Sequence, residues 1–307
     1  MTDTTQKRYP LKLWLRATRP FSFTASLTPC VVGAMMALLM NSSGSLWYLL
    51  PFILLSSVTM HAATNVVSDY YDFIKGVDTK DSFGGSGVLT EGLMEPKRVL
   101  RGGIVLFAIA VALGLPIIFG RGEIIIYLGI IGILGGFFYT GWPIGYKYYA
   151  LGNYFVFALM GPAMVVGTFY ALTGTYSSSV LFASLPVGFL VAGILQANNL
   201  RDIIHDRGAQ IKTFAGLMGG GYAKAEYIFL IVGAYIIVIA LVLFKVLSPW
   251  AFIVFLSLPP AIKNLSQIRG VQVEDTSKIA MLDVQTAQLH MMFGILLSIS
   301  ILISKFV

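Results

Sequence analysis

Nine stretches of this 307-residue chain are each long and apolar enough to cross a lipid bilayer, and no other feature limits its fold so strongly. A transmembrane helix needs about 17–25 predominantly apolar residues. Runs of that kind lie at 22–40, 46–67, 101–119, 123–140, 152–173, 180–200, 226–246, 248–264 and 287–306. Lipid offers backbone amides no hydrogen-bonding partner, so such runs close their hydrogen bonds internally as helices. Composition agrees: 57% of the residues are hydrophobic and 11% are charged, against about 25% charged in soluble domains. The expected fold is an all-α polytopic membrane protein of about nine helices, one domain over residues 1–307.

The net charge of +7 raises the question of a nucleic-acid partner, and its distribution answers it. With the N-terminus inside, 18 of the 21 basic residues fall on the inner side, and Arg121, Lys245 and Lys305 remain outside. That asymmetry is the positive-inside pattern of a membrane protein, so the basic balance serves topology and no nucleic acid is expected. The basic opening "KRYPLKLWLRATRP" precedes an apolar run too long for a signal-peptide core and without a convincing cleavage site, so the run is read as a retained first helix. Cys30, the one cysteine, lies inside that span and is read as a packing residue. The expected location is the cell membrane, with the N-terminus and the long loops facing the cytoplasm.

Acids follow a different logic. The chain has 14, and four of them stand in "TNVVSDYYDFIKGVDTKD", residues 64–81, directly after an apolar run. Asn65, Asp69 and Asp72 fall on one helical stripe. A second cluster, "NNLRDIIHDRGAQIKT" at 198–213, places Asn199, Asp202 and Asp206 on one face with Asn198 beside it. Both clusters follow membrane helices, the second and the sixth, and open the two long inner loops at roughly 68–100 and 201–225. Asn65 and Asp69 shifted by 133 positions land on Asn198 and Asp202, a hint of two related halves.

A solvated loop explains one such cluster well but explains two matched ones poorly. Stacked carboxylates at a membrane helix end repel one another and are costly to insert. Cations between the two helices remove both difficulties, and carboxylates with amide oxygens are hard ligands suited to Mg²⁺, which typically takes one or two carboxylates plus substrate phosphates. Basic residues interleave with the acids, which favours metal together with phosphate. The turn "FGGSG" at 83–87 reads equally as an ordinary turn or as a phosphate-hugging lid. A cation transporter is the main rival, although its acids would lie nearer the membrane midplane. A phosphatidyl-type transferase is a nearer rival whose Asp-Gly…Ala-Arg pattern is absent.

These motifs resemble the UbiA superfamily of intramembrane prenyltransferases. "NVVSDYYDFIKGVD", "NNLRDIIHDRGAQIKT", "FYTGWPIGYKYYALGNYFVFALMGPAMVVGTFY" and "LRATRPFSFTASLTPCVVG" are most similar to its 1,4-dihydroxy-2-naphthoate polyprenyltransferase branch. The resemblance implies helices around a central cavity and a reaction in which a polyprenyl diphosphate alkylates an aromatic acceptor with Mg²⁺ as cofactor. It implies that Asp69, Asp72, Asp78, Asp202 and Asp206 carry the metal and that Tyr139 is a catalytic residue near the prenyl diphosphate. Asn65 and Asn199 are implied to support the metal or the diphosphate, and Lys147, Arg201 and Lys212 are implied at the diphosphate. Membrane lipid surrounds the tail, and no obligate protein partner is implied. Within the superfamily 4-hydroxybenzoate, homogentisate and archaeal glycerol-lipid acceptors stay open. The first motif departs at Ser68, where many relatives carry Asn.

Other polar and aromatic residues near the motifs are read more plainly. Tyr70, Tyr71, Phe73, Phe137, Phe138 and Tyr139 are candidates to face a carbocation, with packing as the commoner role. Arg19 is read as topology-setting rather than as a contact for an acidic acceptor. His61 and His205 are read as polar residues satisfied within the bundle rather than as general bases, and His290 has no assigned role.

Overall fold

The computed structural model describes residues 9–40, 44–80, 82, 84–208, 212–272 and 276–307. Lys7, Arg8 and Phe83, which entered the charge and glycine-turn readings, lie outside the described residues. The fold is all-helical, and among the described residues eight helices are long and apolar enough to cross a membrane.

A short amphipathic helix, α1 (Leu11–Thr18), comes first. Arg19 then takes a left-handed conformation with φ 51°, and a 3-10 turn (Pro20–Phe23) leads into α2 (Thr24–Met40). Next come α3 (Leu50–Ile74), α4 (Pro96–Arg121) and α5 (Glu123–Phe137). The following span runs from Gly152 to Thr173 as α6 (Gly152–Ala158), a π-helical turn (Leu159–Ala163) and α7 (Met164–Thr173). After α8 (Ser178–Arg201) come two short helices, α9 (Ile203–Gly208) and α10 (Phe214–Met218). The chain closes with α11 (Gly220–Leu243), a 3-10 stretch (Pro249–Ser257) continuing as α12 (Leu258–Arg269), and α13 (Leu282–Phe306).

Helix ends differ from the apolar runs where polar residues continue a helix. At 25 residues and about 1.5 Å of rise per residue, α3 is roughly 37 Å long, longer than the hydrocarbon core of about 30 Å. Its last turns carry Asp69 and Asp72. At 15 residues α5 is too short to count among the eight spans, although its composition is apolar. It has no fully buried residue.

Close crossings of small residues build the bundle, as expected where lipid supplies no hydrophobic drive between helices. An added Cβ at Gly161 would stand 2.4 Å from the Gly188 Cα, so the π-helical turn and α8 meet backbone to backbone. Pro162, lacking an N–H, accounts for the widened turn beside it. The most buried helix, α8, packs against α6, α11 and α13, while α2 packs on α7 and α13, and α3 on α4 and α5. Cys30 is buried in this core, as expected of a packing residue.

Candidate functional site

Both acid-bearing helix ends open into one cavity of about 630 Å³. Asn65, Asp72 and Asp78 line it from the side of α3, and Asn199, Asp202 and Asp206 from the side of α8 and α9. Because α3 stays helical through Ile74, residues 61, 65, 69 and 72 follow one another along a single face. On the other side the helix breaks at Asp202, and Asp206 arrives on α9.

Asp69 and Asp72 find basic partners far away in the chain, and Asp202 finds one in its neighbour Arg201. Asp72 is 2% exposed and accepts from Lys147 Nζ and from the Tyr148 hydroxyl, both at 2.8 Å. Asp69 is 3% exposed and pairs with the Arg19 guanidinium, while the Ser86 hydroxyl and backbone N–H also donate to it. The Arg201 guanidinium donates to Asp202 at 2.9 and 2.8 Å and to Asp283 at 2.6 Å. Burying one partner of such a pair without the other would cost about 3–5 kcal/mol, so these contacts hold the mouth together.

The electrostatics leave room for more positive charge. Burial alone would lower the Arg19 pKa, but the Asp69 and Asp78 carboxylates raise it overall. Lys147 behaves alike: burial would lower its pKa, but Asp72, Tyr139 and Asp78 together raise it. For Asp78 burial acts in the opposite sense, raising its pKa, and the Asp72 charge adds to that. Burial pushes Asp206 up to about 7, opposed by Lys147 and assisted by Asp202 and Asp72. Two carboxyls held above their ordinary range at one mouth are a donor set that a cation would complete.

Oxygen donors are arranged to match. Asn65 Nδ2 donates to the Thr18 carbonyl at 2.9 Å and to Ser22 Oγ at 3.1 Å, which uses both amide hydrogens and leaves Oδ1 for a ligand. An amide oxygen coordinates a hard cation but has no proton to give a phosphate. Asn65 therefore suits the cation side of the site better than the diphosphate side. Asn199 donates to Asn153 Oδ1 at 3.2 Å and keeps a second amide hydrogen. Asn153 is itself fixed by Gln196 Oε1 at 2.7 Å and Glu226 Oε1 at 2.9 Å. Among the described residues no three acidic, histidine or cysteine side chains form a closed metal cage. A hard divalent cation would thus be held by one or two carboxylates and completed by a ligand's oxygens, the usual habit of Mg²⁺.

Not every residue expected at the diphosphate reaches the cavity wall. Lys212 is exposed, and its backbone N–H donates to the Tyr148 carbonyl at 3.3 Å. Arg201 is sequestered between Asp202 and Asp283 at 3% exposure. Lys147 and Tyr139 do line the cavity, with Lys147 Nζ 5.9 Å from the Tyr139 ring centre. Of the aromatic candidates only Tyr139 does so; Tyr71, Phe137 and Phe138 pack edge to face with one another. His61 and His205 both line the cavity, whereas His290 is fully buried in α13.

Several participants were missed from sequence. Arg19, read as topology-setting, lines the cavity and pairs with Asp69. Tyr148, Asn153, Asp283 and Ser86 each fix a motif residue. Signals existed for some: Asn153 is a lone amide at the start of an apolar run, and Tyr148 adjoins Lys147. The glycine turn also belongs to the site. A Cβ at Gly84 would stand 2.8 Å from Asp202 Oδ2, while Ser86 reaches Asp69, so this segment touches both halves and needs its glycine to do so.

Comparison with known proteins agrees with the geometry. The profile of the UbiA prenyltransferase family matches residues 26–291. A 1,4-dihydroxy-2-naphthoate octaprenyltransferase of Bacillus subtilis is 35% identical over 295 residues, covering 96% of this chain and 93% of that protein. UbiA prenyltransferase domain-containing protein 1 of Mus musculus is 33% identical over 246 residues, covering 76% of this chain and 71% of that protein. In structure, a UbiA homolog from Archaeoglobus fulgidus bound to GPP and Mg²⁺ superposes with a TM-score of 0.63 at 18% identity, over 93% of this chain and 99% of the other.

Proposed function

The chain belongs to the UbiA prenyltransferase family, and from that membership we propose that it transfers a polyprenyl chain from its diphosphate to 1,4-dihydroxy-2-naphthoate, a step of menaquinone biosynthesis. One observation carries the proposal. Two acid clusters, with Arg19 and Lys147 among them, meet at the mouth of a cavity whose deeper walls include Ile131, Leu159, Met160, Val191 and Ile194. Such a site suits a ligand with a charged head and a long apolar tail. The naphthoate acceptor draws support from the similarity to the B. subtilis protein over almost the whole chain.

Asp72, Asp78, Asp202 and Asp206, with Asn65, are the residues proposed to hold Mg²⁺, and Asp69 supports them from behind through Arg19 and Ser86. Bound Mg²⁺ supplies Lewis acidity and charge neutralisation to the leaving diphosphate. Lys147 and Arg19 set positive charge where negative charge grows as the C–O bond breaks. The apolar chamber keeps water from the allylic cation, and the Tyr139 face lies beside it. A ring carbon of the acceptor then bonds to the first prenyl carbon, and the carboxylate on that carbon leaves as CO₂, its C–C bonding pair returning to the ring to restore aromaticity. The site is proposed to face the cytoplasm of a cell membrane, in keeping with 18 of 21 basic residues on that side.

The test is incubation of purified protein with MgCl₂, a labelled polyprenyl diphosphate and a panel of acceptors: 1,4-dihydroxy-2-naphthoate, 4-hydroxybenzoate, homogentisate and a geranylgeranylated glycerol phosphate. Mass spectrometry should find a Mg²⁺-dependent prenylated naphthoquinol. Product from another acceptor alone would reassign the substrate, and no product from any acceptor would sink the reading.

A further inference from the structure

The cavity has two chemically different walls. Towards α5, the Gly152–Thr173 span and α8 it is apolar, with Ile131, Leu159, Met160 and Ile194. Towards α2 and α3 it carries hydrogen-bonding side chains well below the carboxylates: His61 and Ser57 on α3, with Ser22 and Ser26 opposite. Polar groups at membrane depth are costly and tend to mark function. An isoprenoid tail has no hydrogen-bonding group, so the polar wall does nothing for it.

His61 stands in the middle of that wall, and its neighbours determine its protonation. Ser22 donates its hydroxyl hydrogen to the Arg19 carbonyl at 2.8 Å and accepts from Asn65 Nδ2 at 3.1 Å. Towards His61 Nε2, 3.3 Å away, the Ser22 oxygen is therefore an acceptor, and Nε2 carries the proton. Ser26 then donates to Nδ1 at 2.7 Å. In this tautomer His61 has no free lone pair to act as a base. What it offers the cavity is an N–H held only by a long contact. With about 1.5 Å of rise per residue, His61 lies roughly 12 Å along α3 from Asp69, which leaves space for an aromatic ring between them.

We propose that the polar wall of α2 and α3 seats the aromatic acceptor, and that His61 Nε2–H donates to an oxygen on its ring. His61 thus positions the ring beneath the diphosphate while the apolar wall takes the tail. The proposal rests on the reading of the chain as a prenyltransferase acting on a hydroxylated ring.

Steady-state kinetics with each substrate varied in turn test it. His61→Leu should raise the KM for 1,4-dihydroxy-2-naphthoate on the order of 10-fold, the loss of one hydrogen bond, and leave the KM for the polyprenyl diphosphate unchanged. His61→Asn, which keeps an N–H, should recover part of that loss. Ser26→Ala, which removes the hydroxyl holding Nδ1, should raise the acceptor KM in the same direction. An unchanged acceptor KM in Ser26→Ala overturns the proposal whether or not His61→Leu folds, as does a rise in both KM values together in any variant. Wild-type protein that prenylates no acceptor would overturn the underlying reading, and the proposal with it, before any variant is made.

Discussion

Asp72 faces the cavity while holding Lys147 and Tyr148, so its replacement has two separable effects. Asp72→Ala strands a buried ammonium and should cost stability as well as activity. Asp72→Asn keeps the shape and isolates the charge. We expect Asp72→Asn to lower kcat/KM at least on the order of 100-fold in protein that still folds, the usual size of losing one charge-stabilising group. Near-normal turnover would remove Asp72 from the metal site. Tyr148→Phe deletes only the hydroxyl that orients Asp72. Its expected signature is a half-saturating Mg²⁺ concentration raised on the order of 10-fold, with kcat at saturating Mg²⁺ largely kept. A lower kcat with an unaltered Mg²⁺ requirement would place Tyr148 on the substrate instead. Arg19 is the complementary case: its left-handed backbone, costing about 1–3 kcal/mol, is tolerated where its side chain binds Asp69.

Helices set the positions of these side chains through a few close approaches. The crossing of Gly161 on Gly188 is backbone against backbone, so neither side can yield by rotating a side chain. Gly161→Val should therefore destabilise the protein by about 1–3 kcal/mol, the range for overpacking, and lower the apparent Tm in detergent. An unshifted Tm would show that the π-helical turn relaxes to admit the larger residue. The same crossing aligns α6 with α8, and through Asn153 it sets the orientation of Asn199. Element lengths matter as well: α3 outruns its apolar stretch and delivers Asp69 and Asp72, whereas α5 has only 15 residues.

For the whole molecule the central prediction concerns sidedness. Cys30 is the sole cysteine and is 1% exposed, so a single introduced cysteine can be labelled against a low background. Thr79→Cys, on the exposed loop after α3, should react with a membrane-impermeant maleimide only after permeabilisation. Glu123→Cys, at the start of α5, should react in intact cells. The reverse pattern would invert the topology and move the acid-lined mouth outside. Chelation acts on the same mouth: excess EDTA should abolish transfer, and added MgCl₂ should restore it. Transfer that persists in EDTA would exclude a dissociable divalent ion from the reaction.

Sequence alone determined the all-helical membrane architecture and the two acid clusters at Asp69 to Asp78 and Asp202 to Asp206. Hydropathy and side-chain periodicity are local properties, each readable within a window of about twenty residues, and charge asymmetry needs only the order of the spans along the chain. Tertiary structure decided the partners. That Arg19 meets Asp69, that Arg201 is absorbed by Asp283, that Lys212 stands away from the cavity wall and that Gly84 lies against Asp202 all depend on how distant helices cross. A helix carries the angle and depth of its crossing in the fit of small residues against another helix, and that fit exists only once both surfaces are in contact.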